Sequence, residues 1–225
     1  MPAFDFVVDG QPLRVGVSDL IVAGWTGRDI HAVEEHIAEL AALGVARPST
    51  VPCFYRVGKN LLTAEQDLDV CGSDSSGEVE FVLVSAPEGI FVGVGSDHTD
   101  RKVEAYRVTV SKQMCLKPIG RELWRHADIE GHWDALLLRS WVIRAGERML
   151  YQQGSVTRMR TPGDLVACYL GHASDLPTGS VMYCGTLAVL GTIESGEAFE
   201  VELEDPVRRR FLRHRYTTRS LAFAD

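Results

Sequence analysis

Three short pieces of this chain, Glu78-Val79-Glu80, Ser96-Asp97-His98-Thr99-Asp100-Arg101 and Ser111-Lys112, together carry three carboxylates and one ammonium suited to a magnesium-type site. Carboxylate oxygens suit a small hard dication, Mg²⁺ or Mn²⁺, and three of them leave roughly half of an octahedral shell for water or for a chelating substrate. Three negative charges exceed the two on such an ion, so Lys112 nearby would neutralise the excess and donate to an enolate oxygen as charge develops there. Glu78, Glu80 and Asp97 are thus the expected metal ligands and Lys112 an expected catalytic group. On a strand, Glu78 and Glu80 share one face while Val79 turns into the core. The spacing alone does not mark a site, because Glu200-Val201-Glu202-Leu203-Glu204 repeats it.

The elements that must position these groups read mostly as strands. Residues 79–84 are rich in β-branched and aromatic side chains, follow a Ser/Gly/Asp loop at 72–77 and end at the turn Pro87-Glu88-Gly89. Residues 90–94 read as a strand leading into Asp97, and 106–110 as a strand leading into Lys112. Hairpins are expected for 4–8 with 13–15 around Asp9-Gly10, and for 136–143 with 149–152 around residues 144–147. Helices are few, near 27–44, 119–126 and 162–167. In the first, Asp29 or Thr26 can cap the start, Ile30, Val33, Ile37, Leu40 and Ala41 recur at helical spacing, and Gly44 stops it. This helix carries two His-x-x-Glu pairs, His31 with Glu34 and His36 with Glu39, each able to set an imidazole beside a carboxylate that orients it. Both flank the apolar stripe, so periodicity does not choose between them.

Taken in order, these segments resemble the fumarylacetoacetate hydrolase superfamily, and the chain is similar to a shortened, divergent member from an uncharacterised bacterial branch. In that superfamily an E-x-E strand, an aspartate in an N-D-V-S-A-R-like segment and a lysine in a G-K-S-like segment form the metal site. Here Asp97 and Arg101 match the second segment; Ser111-Lys112-Gln113, with Cys115 and Lys117-Pro118-Ile119-Gly120, resembles G-K-S…C-P-L-G-P. Tyr151-Gln152-Gln153-Gly154 resembles the V-N-G-x-x-x-Q strand pair, Leu165-Val166 the L-I that follows, and Leu176-Pro177-Thr178-Gly179-Ser180-Val181-Met182-Tyr183-Cys184-Gly185-Thr186 the L-x-P-G-D-V-I-x-T-G-T signature. Two departures stand out. Sixteen residues separate Glu80 from Asp97, fewer than is usual there, and Leu187-Ala188-Val189-Leu190-Gly191 replaces the P-x-G-x-G tail. The resemblance implies a mainly β (α+β) fold, a mixed β-sandwich roll with few short helices, working as a homodimer. It also implies an H-x-x-E dyad on a helix over the metal; the 42 positions from His36 to Glu78 select His36 and Glu39 as catalytic. Arg101, Gln152 and Thr186 become the expected substrate contacts, Arg101 and Gln152 being equally suited to orienting the groups that hold the ion.

At 225 residues and 45% hydrophobic, the chain can bury a full core as one domain over 1–225. A net charge of −8 argues against a general nucleic-acid surface. The basic cluster Arg208-Arg209-Arg210, Arg213 and Arg215 follows the acidic strand 200–204, where a hairpin would set acids opposite bases. No apolar run approaches a membrane span and the N-terminus lacks the order of a signal peptide, so a cytoplasmic protein with no membrane partner is expected. Five scattered cysteines without a C-x-x-C point to reduced thiols, Cys184 reading as a small buried hydrophobe.

The implied function is a Mg²⁺- or Mn²⁺-dependent enzyme acting on a small-molecule carboxylic acid, a 2-oxo or 1,3-dicarbonyl acid, by C–C bond hydrolysis, decarboxylation or keto-enol tautomerisation. The alternative is a non-catalytic metal-organised binding or interaction protein on the same fold. A hydrolase using His98 or His172 as a transition-metal ligand lacks any H-x-x-x-H pairing.

Overall fold

The computed structural model describes residues 2–42, 47–171 and 175–224, except the side chains of His36 and Leu40; Gly44 and His172 lie outside the described residues. Its centre is the strand Val79–Ala86, whose eight residues are all buried. Alternation divides it between two cores. Val79, Phe81 and Leu83 pack in one apolar cluster, Val82 and Val84 in another. Glu80 falls on the face of Val82 and Val84, at the end where that core stops.

An eight-stranded sheet surrounds this strand in the order Gln11–Gly16, Ala3–Val8, Glu122–Arg125, Gly89–Ser96, Val79–Ala86, Ser180–Thr186, Asp19–Gly24, Cys53–Val57. The second cluster joins Phe6 and Val15, from one edge, to Val57 from the other, so the sheet curls round its own core. A second sheet runs Glu147–Ser155, Leu137–Arg144, Ala198–Asp205, Arg210–Leu221, Asp67–Cys71. Its Leu138, Val201, Leu203 and Leu212 meet Phe81, Val92 and Val94 of the first sheet. Burying a side chain such as Phe81 contributes about 2–3 kcal/mol. The expected mixed β architecture is thus present.

Helices are short: α1 (Ile30–Ala42), α2 (Arg101–Tyr106), α3 (Val108–Met114) and α4 (Pro162–Leu170). Asp29 caps α1, its carboxylate accepting from the backbone N–H of His31 (3.0 Å) and Ala32 (3.2 Å). Two expected elements are different. The segment 106–110 is helical rather than a strand: Asp100 accepts from Val103 N (2.8 Å) to start α2, and Ser111 Oγ donates to the Asp100 carbonyl (2.7 Å) to anchor α3. These caps override the β-branched residues of that stretch. The segment 119–126 contains the strand Glu122–Arg125, because it lies parallel to Ala3–Val8 and antiparallel to Gly89–Ser96 and fills the gap between them. In the acidic-basic hairpin Glu200 faces Arg215 and Glu202 faces Arg213. All five cysteines are free thiols and Cys184 is fully buried. No helix among the described residues is long and apolar enough to cross a membrane.

Candidate metal centre

Antiparallel pairing gathers the acids. Val79 lies opposite Ser96 and Glu80 opposite Thr186, so the start of Val79–Ala86 meets the ends of both neighbouring strands. Asp97 follows one of those ends, and its N–H donates to the Glu78 carbonyl at 3.0 Å. Oxygens of Glu78, Glu80 and Asp97 consequently lie within 4.8 Å of one another. Glu80 and Asp97 are buried and Glu78 half-buried. Three hard donors at this separation fit one Mg²⁺ or Mn²⁺ ion.

Cations surround the acids on the other sides. Lys112, delivered by α3, bonds Asp97 Oδ2 and lies 3.4 Å from Glu78 Oε2 and 3.6 Å from Glu104 Oε1. Burial alone would lower the Lys112 pKa, yet Asp97, Glu78 and Glu104 outweigh it and hold the ammonium well above the ordinary lysine range. Arg101, at the start of α2, shares Nη1 between Glu78 Oε1 and Glu104 Oε2, both at 2.9 Å, and donates Nε to Ser76 Oγ at 2.7 Å. It therefore fixes the orientation of Glu78. Burial would raise the Asp97 carboxyl, but Lys112 and Lys117 bring it far below the usual carboxylate range. Glu80 goes the other way: desolvation, then Asp97 and Glu78, push it well above 4.5 against the N–H of Gly185, which donates to Oε2 at 2.6 Å.

Supports come from both sheets. Glu78 N donates to Ser96 Oγ (3.0 Å), and Ser96 Oγ accepts from Tyr216 OH (2.8 Å). Gly185 takes φ 100° beside a register irregularity in its strand, its Cα facing Thr26. Trp25 precedes that threonine at φ 57°, which a bulky residue adopts only where its surroundings enforce it. Thr186, half-buried, donates to the Val79 carbonyl (2.8 Å) and accepts from Gln152 Nε2 (2.9 Å).

The expectation that Gln152 touches a substrate gives way to a different placement. It is fully buried; Oε1 accepts from Val79 N and Ser140 Oγ, both at 2.9 Å, and Nε2 donates to Thr186 Oγ1 and the Leu187 carbonyl. Its amide is saturated behind the centre and ties Thr186 to the metal-site strand. His98 is buried as well. Its Nδ1 meets Tyr216 OH at 3.1 Å, and burial, with Lys117 and Arg101 beside it, pushes its pKa down to about 3, leaving a neutral ring between the sheets. On α1, Glu34 is engaged by Arg47 at 2.8 Å, His31 and Glu39 are exposed, and the His36 side chain is outside the described residues. The structure thus joins Glu78, Glu80, Asp97, Lys112, Arg101 and Thr186 in one region without describing the dyad.

Three participants escaped the sequence reading. Glu104, one helical turn after Arg101, completes the charge network, and Gly185 carries the N–H to Glu80. Lys117 is fully buried with Nζ 2.8 Å from Asp97 Oδ1. The signal available for it was a lysine inside the otherwise apolar Cys115-Leu116-Lys117-Pro118-Ile119.

The fold is that of solved fumarylacetoacetate hydrolase proteins. A protein from Oleispira antarctica assigned as a fumarylacetoacetate isomerase/hydrolase is 18% identical with a TM-score of 0.68, the match covering 95% of this chain and 99% of that one. Fumarylpyruvate hydrolase from Pseudomonas aeruginosa, solved with Mn²⁺ and pyruvate, is 15% identical with a TM-score of 0.65 over 98% of this chain and 97% of its own. 2-Keto-3-deoxy-D-arabinonate dehydratase is likewise 15% identical at 0.65, over 94% and 75%. At the level of sequence, the chain belongs to the family described as Protein of unknown function (DUF2848), which matches residues 23–216. No curated protein matches it significantly.

Proposed function

We propose that this chain is a divalent-metal-dependent enzyme acting on a 2-oxo or 1,3-dicarbonyl acid, by C–C bond hydrolysis or by a related decarboxylation or tautomerisation. The observation that carries the reading is the convergence of Glu78, Glu80 and Asp97 with the Lys112 ammonium at their edge. Those three carboxylates would hold Mg²⁺ or Mn²⁺, which when bound would supply Lewis-acid polarisation of a chelating acid's carbonyl. Lys112 donates to the oxygen that gains charge as an enolate forms. Arg101 keeps Glu78 aimed into the centre, Gln152 holds Thr186, and Thr186, whose hydroxyl proton goes to the Val79 carbonyl, has one lone pair left to accept a bond from the substrate. His36, oriented by Glu39, takes the proton or activates the water. Pyruvate and Mn²⁺ in the Pseudomonas aeruginosa hydrolase support the choice of a 2-oxo acid and leave either ion suitable here. A homodimer belongs to the same reading.

The test is a panel of 2-oxo acids and acylpyruvates assayed with Mg²⁺ and Mn²⁺, comparing native protein with Glu78→Ala and His36→Ala. The reading expects loss of metal binding in the first variant, and loss of rate with metal retained in the second. Metal binding without turnover of any panel member would replace it with the non-catalytic binding protein.

A further inference from the structure

Lys112 and Lys117 form ion pairs with different oxygens of the same carboxylate. Lys112 bonds Asp97 Oδ2, and Lys117 Nζ lies 2.8 Å from Oδ1 while donating to the His98 carbonyl, also at 2.8 Å. Lys112 stands on α3 and is itself buried, at 7% exposure; Lys117 is fully buried. Its backbone is pinned on both sides. The two-residue strand Lys117–Pro118 pairs with Leu62–Thr63, and Tyr183 OH sits 2.9 Å from the carbonyls of both Lys117 and Pro118. An ammonium so confined is costly to desolvate, and its bond to the His98 carbonyl keeps it beside Asp97.

Charge then decides what the centre binds well. With all four carboxyls ionised, as ligation of an ion requires of Glu80, the acids Glu78, Glu80, Asp97 and Glu104 face Arg101, Lys112 and Lys117, a formal excess of one negative charge; without Lys117 the excess would be two. A carboxylate oxygen can accept from an ammonium and still ligate an ion, so Lys117 leaves the site able to hold a dication but opposes its charge from within. An anionic chelate bound to that dication removes the opposition.

We propose that Lys117 is a positioning residue that weakens the centre for a bare dication and so couples metal uptake to an anionic, chelating ligand. This inference rests on the metal reading above. Coupling of this kind is reciprocal: the chelate tightens the metal by the factor by which the metal tightens the chelate.

Mn²⁺ titrations followed by calorimetry and by the electron paramagnetic resonance of free Mn²⁺, with and without oxalate, test it. Native protein is expected to bind Mn²⁺ about tenfold or more tightly with oxalate present. Lys117→Gln keeps a donor to Asp97 and removes the charge; it is expected to bind Mn²⁺ alone about tenfold more tightly than native and to show weaker coupling to oxalate. Lys117→Arg, which keeps the charge, is expected to lack the tighter Mn²⁺ binding of Lys117→Gln. A lysine that served only packing would give the opposite sign, since Lys117→Gln would then loosen Asp97 and weaken Mn²⁺. Affinity in Lys117→Gln equal to or below native, with native Mn²⁺ binding intact, overturns this inference alone. Should that variant not fold, absence of oxalate coupling in native protein overturns it. No Mn²⁺ bound by native protein under either condition overturns the metal reading and this inference together.

Discussion

Gly185→Ala offers a measurable probe of how the second strand end holds the centre. Gly185 sits at φ 100°, where a Cβ would lie 1.8 Å from Thr26 Oγ1, 3.0 Å from Thr26 Cβ and 3.4 Å from Met159 Cγ. The conformation costs a non-glycine residue about 1–3 kcal/mol. Thr26 cannot simply retreat, because its carbonyl accepts from Arg160 N at 2.8 Å and the residue is buried. Forcing a methyl into that space adds about 1–3 kcal/mol. The expected loss in urea denaturation is therefore about 2–6 kcal/mol. Adding Thr26→Ala removes the 1.8 Å contact but leaves the backbone strain and the 3.0 Å Cβ contact, so the double variant should recover about 1–2 kcal/mol relative to the sum of the two changes. Mn²⁺ affinity should fall in Gly185→Ala, since the Gly185 N–H holds Glu80 Oε2 at 2.6 Å. Stability within about 0.5 kcal/mol of native, with unchanged Mn²⁺ affinity, would refute the reasoning.

Gln152→Leu should lower stability by roughly 2–6 kcal/mol, because Val79 N and the Leu187 carbonyl both lose a buried partner at about 1–3 kcal/mol each; a midpoint shift below about 1 kcal/mol would show that the amide is dispensable. Asp205 provides a pH signature remote from the metal centre. Burial would raise its carboxyl, but the Arg208 N–H, His132 and Arg210 outweigh that and hold it below the usual range. Its contribution is thus fully present above the unfolded carboxylate pKa of about 3.9 and is lost as pH falls through the lower folded value. Asp205→Asn should reduce stability at pH 7 and flatten the loss on acidification below about pH 4, read from urea midpoints along a pH series; parallel curves for both proteins would contradict the assignment.

What was legible in the sequence was local. Asp9-Gly10 marks a hairpin turn and both residues take positive φ, at 50° and 74°; Asp29 marks the start of α1; the β-branched and aromatic run of 79–84 marks the central strand. The Glu78–Glu80 face and the positions of Asp97 and Lys112 could be named because each lies in a short segment of recognisable composition. The failures share a cause. Val108, Thr109 and Val110 favour a strand, yet Asp100 and Ser111 make backbone bonds that fix helices, and those bonds depend on where the loop after Gly89–Ser96 runs. The strand within 119–126 is not legible locally, because its pairing on both sides depends on segments distant in the chain. Lys117 could not be assigned from its own neighbours, since only the fold brings Asp97 to it.

The two Glu-x-Glu stretches show why cross-strand neighbours, rather than spacing, decide chemistry. Glu200 and Glu202 lie on the hairpin sheet with Arg215 and Arg213 opposite, and Arg148 and Arg139 bond them from the other flank. Glu200 is half-buried and Glu202 buried, and each has arginines on either side that already neutralise its charge. Glu78 and Glu80 instead end a strand buried on both faces, and the residues across from it are an aspartate and a glycine N–H. Like charges crowded in a buried corner are unfavourable until cations join them. Arg101, Lys112 and Lys117 meet part of that need from within the chain, and the remaining negative charge is the physical reason to expect a dication at this end of the sheet.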